Sequence, residues 1–188
     1  MEPNDRTDLM TPEHLHPRRK DRSKDEDWIR ALLHRGGVGV LATVGDGKPF
    51  PIPLNYVYDE RRGALYLHTA LKGGSMGNLP GPAAVCVYEM GRMLPADEAL
   101  EFGVEYKSVV VFGPGSVVED PAEAEAALVL IMEKYAPHLT AGEDYRPVAP
   151  EEVRRTAVLR VNIEGWSGKE KVEAPDFPGA YTFEDVRR

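Results

Sequence analysis

The stretch Gly36–Leu79, GGVGVLATVGDGKPFPIPLNYVYDERRGALYLHTALKGGSMGNL, constrains the fold more than any other part of the chain. In Gly37–Val44, the residues Val38, Val40, Ala42 and Val44 alternate with Gly39, Leu41 and Thr43, which is the period of a pleated strand. Gly45-Asp46-Gly47 tolerates positive φ and predicts a hairpin. Phe50–Tyr58 reads as the second strand, with Phe50, Ile52, Leu54, Tyr56 and Tyr58 on one face. Pro49, Pro51 and Pro53 share the other face. Lacking an N–H, they place part of this strand on a sheet edge or beside a bulge. Arg61-Arg62-Gly63 turns the chain again into Ala64–Ala70, the third strand. Turns this short cannot carry a crossover, so the strands run antiparallel and a parallel βαβ fold is disfavoured. The third strand empties into Lys72-Gly73-Gly74-Ser75, whose backbone N–H groups are able to converge on an anion.

Upstream, residues 1–22 mix charges and prolines with few apolar groups and predict a tail that is disordered or lies over a partner. His14 and His16 stand two apart in this stretch, and a solvated tail is the favoured reading over a metal pair. Ser23-Lys24-Asp25-Glu26 fits a capping box for a helix that ends at Gly36, with Trp28, Ile29, Leu32 and Leu33 as its buried stripe. Downstream, Ala83–Met90 and Glu105–Val111 predict two more strands, and Gly113-Pro114-Gly115 kinks the second before Ser116–Glu119. Asp120, Pro121 and Glu123 predict a capped helix start, followed by an apolar stripe of Ala124, Ala127, Leu128, Ile131, Met132 and Tyr135. A short helix is expected over Pro150–Arg155 and a last strand over Ala157–Glu164. At least six short strands with few helices point to a mainly β fold, a closed or nearly closed antiparallel barrel with helices outside. Residues 23–188 form one domain.

Charge and cysteine content narrow the function classes. A formal charge of −8 argues against a general nucleic-acid binder. One cysteine, Cys86, allows neither an intrachain disulfide nor a cysteine-rich metal site. No apolar run approaches the ~20 residues of a spanning helix, and no signal peptide opens the chain, so a cytoplasmic protein without a membrane role is expected.

The segments GVLATVGDGKPFPIPLNYVYD, LYLHTALKGG, Asn78-Leu79, EYKSVVVFG and GWSGKEK occur in this order over roughly Asp25 to Lys171. Together they resemble the pyridoxamine 5′-phosphate oxidase-like flavin-binding split barrels, in particular the nitroimidazole-resistance (Nim) branch. The resemblance implies a six-stranded split barrel, a homodimer, and FMN in the crevice between protomers. It also implies flavin redox chemistry on a small-molecule substrate. Carried over by position, Leu41, Ala42 and Thr43 match the strand that passes the flavin ring. Pro53, Leu54, Asn55 and Tyr56 match the paired strand lining the same crevice. His68 matches a histidine facing the cofactor site, and Asn78 belongs to the matched loop. Tyr106, Lys107 and Ser108 match a segment near the phosphate or the second protomer. Trp166 and Lys169 match the closing segment. Relatives carry Arg-Lys in the loop where this chain has Gly74-Ser75. Here Lys72 and the Gly74-Ser75 backbone and hydroxyl are the candidates for the phosphate.

His68 lies in phase with Tyr66 and Ala70 and opposite Leu65 and Leu67. Its titration range suits proton transfer beside a flavin, and it is equally a possible structural residue or haem ligand. The expected activity is FMN-dependent reduction of small electron-poor compounds such as nitroaromatics. The alternative is a non-catalytic protein of the same fold that holds flavin, haem or another small molecule.

Overall fold

A computed structural model describes residues 18–72 and 74–187; the side chains of positions 74 and 75 are not among the described parts. The expected tail up to residue 17, with His14 and His16, and the glycine at 73 therefore lie outside the described residues. A 3-10 turn at Lys20–Arg22 leads into β1 (Ser23–Lys24) and helix α1 (Glu26–Arg35). Then follow β2 (Gly39–Gly45), β3 (Lys48–Leu54), β4 (Tyr56–Asp59) and β5 (Ala64–Ala70). A second 3-10 turn at Gly74–Asn78 precedes the long strands β6 (Gly81–Leu94) and β7 (Gly103–Val117). Helices α2 (Pro121–Tyr135) and α3 (Pro150–Val153), then strands β8 (Thr156–Asn162) and β9 (Gly165–Lys171), complete the frame.

All pairs are antiparallel, in the order β3-β2-β6-β7-β8-β5-β4, with β9 inserted between β7 and β1. The sheet curls into a barrel that stays open between β3 and β4, the split barrel that the sequence predicts. Its two edges are consecutive in sequence and joined at Asn55. The single strand expected over Phe50–Tyr58 is therefore two, because Asn55 belongs to no ladder. Pro49, Pro51 and Pro53 of β3 pair with Val44, Ala42 and Val40 of β2, and β3 has no other neighbour in the strand order. That is the edge position their missing N–H groups require.

The β2–β3 hairpin closes on Asp46 (φ 50°) and Gly47 (φ 72°), a pair of left-handed residues suited to a two-residue turn. β7 passes through Gly113-Pro114-Gly115 without interruption, so of the two readings of Ser116–Glu119, continuation of the same strand or the start of another, the first holds as far as Val117 in a strand of 15 residues. GWSGKEK, read as a closing segment, is itself a strand. The count rises from six to nine through this strand, the Asn55 break and the two-residue β1.

The capping boxes read from sequence form differently. Asp25, not Ser23, caps α1 and accepts from Trp28 N–H at 2.9 Å, while Ser23 pairs with Lys169 in the sheet. Asp120 caps α2 through Ala122 N–H (3.1 Å), but the Glu123 carboxylate is drawn away to Tyr66 (2.6 Å) and Arg160 (2.9 Å). The barrel interior holds Leu32, Leu33, Leu41, Leu65, Leu67, Val85, Val87, Val109, Val111 and Leu159, all nearly inaccessible. Burying each leucine contributes about 1.5–3 kcal/mol. A second cluster, with Tyr66, Val158, Ala124, Ala127 and Ile131, seals α2 onto the outside of β4, β5 and β8.

Candidate functional site

Strand alternation divides the predicted site residues between two faces. On β2, Leu41 and Thr43 turn inward and are 0% and 1% exposed, whereas Ala42 faces outward. Pro53 is exposed on the outer face opposite Val40, and Leu54 lies half-buried against the core. Asn55 is exposed at the strand break. Tyr56 is a core side chain: its hydroxyl donates to Leu33 C=O at 2.8 Å, and burial pushes its pKa upward.

Thr43 and Asn78 come together. The Asn78 amide donates to Thr43 Oγ1 at 3.0 Å, which fastens the 3-10 turn over the end of β2. Gly45 makes this possible, since a Cβ there would collide with the Asn78 side chain. The turn thus has a fixed seat on the barrel, beside the loop carrying Lys72, which is exposed. At Gly74 and Ser75 only the backbone is described, as part of this turn.

His68 stands in the half-buried part of β5 opposite Val158 of β8. It shares its face with Tyr66, on the side that α2 covers. Its Nδ1 is buried and has no hydrogen-bond partner among the described residues. A buried imidazole nitrogen without a partner is costly, by about 1–3 kcal/mol, unless a group outside the described residues engages it.

The outer face of β3, β2, β6, β7 and β9 is continuous and largely apolar. In register across it lie Pro53–Val40–Cys86–Val110–Ser167 and Pro51–Ala42–Ala84–Phe112. Next come Tyr88–Ser108–Lys169 and Met90–Tyr106–Lys171. Val38 (52%), Val44 (48%), Tyr88 (52%) and Met90 (48%) stand open to solvent here. The Tyr88 and Tyr106 rings stack with centroids 6.3 Å apart. Of the predicted residues, Ala42, Pro53, Tyr106, Ser108 and Lys169 meet on this face. Lys107 points to the other side, in register with Glu89 and Glu170, and lines a pocket of about 190 Å³ with Glu89, Met90 and Tyr106.

Trp166 is not on the outer face. It closes one end of the barrel against Tyr58 (6.3 Å, edge to face), and the Arg30 guanidinium lies 5.2 Å above its ring. Sequence alternation missed Tyr88 and Met90 as outer-face residues, because β6 reads as a uniformly apolar strand with no polar side to mark the exterior.

The family model for pyridoxamine 5′-phosphate oxidase matches residues 25–170. No curated protein gives a significant sequence match. Among solved structures, the flavocytochrome Anf3 from Azotobacter vinelandii superposes with a TM-score of 0.75 at 22% identity, over 85% of this chain and 74% of that one. A FAD- and heme-binding protein from Mycobacterium smegmatis gives 0.71 at 23% identity, over 82% and 76%. A protein from Bacteroides thetaiotaomicron named for 5-nitroimidazole antibiotic resistance gives 0.64 at 20% identity, over 78% and 84%. These likenesses establish the fold. The family match extends over the strands, turn and outer face described above, and the chain belongs to the pyridoxamine 5′-phosphate oxidase family.

Proposed function

We propose that this chain is an FMN-binding oxidoreductase of the nitroimidazole-resistance type. It works as a homodimer on small electron-poor compounds such as nitroaromatics. The observation that carries this reading is the open outer face of β2, β6 and β7. Contiguous apolar surface of this kind marks an interaction site rather than ordinary solvent-facing sheet. A planar, largely apolar ring and a second copy of the chain together suit it, the two-fold arrangement setting like faces against one another. The residues fit a flavin ring there: the face offers small side chains, Ala42 and Ala84, flanked by valines and by the stacked tyrosines. His68 lies apart from this face, on β5, and its Nδ1 has no hydrogen-bond partner among the described residues.

Bound flavin supplies electron or hydride transfer that no side chain here can perform. The chain positions and protonates. Thr43 and Asn78 hold the 3-10 turn rigid on the barrel. The backbone of that turn and the exposed Lys72 are groups an anionic tail could engage in this reading. His68 lies on the strand leading into this loop, with one ring nitrogen shielded from water. Reducing a nitro group consumes protons, and an imidazole is suited to give them near neutral pH.

Two variants test the proposal. His68→Ala and His68→Asn retain flavin and fold but slow nitroaromatic reduction by about 10²-fold. A structural histidine gives the opposite pattern, a lowered melting temperature with turnover intact, and that result contradicts the catalytic role. Flavin that binds yet is never reoxidised by electron-poor compounds faster than by oxygen contradicts the substrate class.

A further inference from the structure

One part of the outer face differs from the rest in charge. Lys169 and Lys171 are two apart on β9 and therefore project from the same side, opposite Ser108 and Tyr106 of β7. Arg22, in the turn before β1, approaches the Tyr106 hydroxyl at 3.4 Å and so reaches the same spot. All three cations are half-buried. The Lys171 ammonium lies over Gly103, where a Cβ would fall 2.5 Å from Nζ. None of the three joins an ion pair among the described residues. The nearest carboxylate in sequence, Glu170, alternates to the opposite face and is held by Lys24 at 2.7 Å.

Three half-buried positive charges without a carboxylate partner among the described residues are unexpected in a chain of net charge −8. Like charges on neighbouring strand positions repel, and their partial burial adds desolvation. An anion relieves both costs. Beside them the exposed Tyr88 ring, stacked on Tyr106, and the half-buried Ser108 hydroxyl supply a flat apolar platform and a hydrogen-bonding group. Cations, a hydroxyl and an aromatic platform are the parts needed for a phosphate joined to a planar heterocycle.

We infer that Arg22, Lys169 and Lys171, with Ser108 and the Tyr88–Tyr106 pair, form a binding site for the phosphate of a nucleotide. This deepens the flavin reading by moving the main phosphate charge from Lys72 to β9 and the turn before β1. The phosphate belongs either to the flavin nucleotide or to a dinucleotide electron donor.

Calorimetric titration of the full chain with three probes, FMN, riboflavin and NADPH, separates these sources. Riboflavin carries the flavin ring without a phosphate. In the Lys169→Gln/Lys171→Gln variant, affinity for a phosphorylated probe falls about ten- to a hundredfold while riboflavin binds as before. Loss for FMN assigns the site to the flavin. Loss for NADPH with FMN unchanged assigns it to the donor. Arg22→Gln, which leaves β9 intact, shifts the same probe in the same direction. The inference is overturned if both variants bind FMN and NADPH as tightly as the unaltered chain, if riboflavin weakens equally, or if neither phosphorylated probe binds at all. Failure of riboflavin to bind, with NADPH bound through these residues, refutes the flavin proposal and leaves this site standing.

Discussion

Lys134 and Tyr135, at the end of α2, secure the point where the barrel is split. The Tyr135 hydroxyl accepts from Tyr56 N–H at 3.0 Å and lies 2.8 Å and 3.0 Å from the carbonyls of Gly37 and Tyr56, to which its single proton is donated in turn. Tyr135→Phe leaves these backbone groups short of a partner. It is expected to lower unfolding free energy by about 1–3 kcal/mol in urea titrations, and an unchanged midpoint contradicts the role. The Lys134 ammonium sits 3.6 Å over the Tyr56 ring and donates to Leu33 C=O at 3.3 Å. Burial without a carboxylate partner lowers its pKa from 10.5 to about 8. Between these values the unfolded chain holds the proton and the folded one does not, so this residue makes stability rise as pH increases from about 8 towards 10.5. Comparing unfolding midpoints at the two ends of that window, Lys134→Met is expected to lack this rise. A rise of equal size in the variant contradicts the assignment. None of this was legible in the sequence, where Tyr135 ends an apolar stripe and nothing in the spacing singles out Lys134.

Among the elements, those with a sharp physical signature were readable and those without one were not. The Asp46-Gly47 turn, the three-proline edge strand and the apolar stripe of α2 each have one, and each is found where the sequence puts it. β9 has polar residues on one side and Gly168 on the other, so no hydrophobic alternation marks it as a strand. Its inward position is set by Gly168, whose Cβ would strike Ile29 at 2.6 Å. The chain after β9 is likewise held by a group that spacing does not reveal. Glu105 accepts from Arg92 at 2.7 Å and 2.9 Å and from Glu173 N–H at 2.8 Å. Arg92 also donates to the carbonyls of Ala174 and Pro175. The Arg92 guanidinium holds the Glu105 pKa at about 2. Its contribution is therefore present above the ordinary carboxylate value of 4.5 and lost as pH falls towards 2. Arg92→Met is expected to raise amide exchange across residues 173–181 at neutral pH without altering exchange in β2. Uniform exchange in both segments contradicts this local role.

At the scale of the whole molecule, α2 covers the outside of β4, β5 and β8, while among the described residues no helix lies over the outer face of β2, β6 and β7. This asymmetry has no direct mark in the pattern of residues, because core and outer valines look alike on strands that are apolar on both sides. The family resemblance implies a homodimer, for which this face is the proposed surface. A two-fold dimer through this face is expected to bury more than roughly 2,000 Å² in total, the range of obligate interfaces. Introducing charge at its centre, as Val40→Lys, is expected to favour single chains and to weaken flavin binding together if, as proposed, one surface serves both. Sedimentation of the flavin-loaded protein, followed at the visible flavin band and in the ultraviolet, examines ring and partner in one experiment. With a chain mass of 20.8 kDa, both signals are expected to move as one boundary at the mass of two chains. Flavin absorbance left behind as free cofactor, or a protein boundary at the mass of one chain, would contradict flavin binding at a homodimer face.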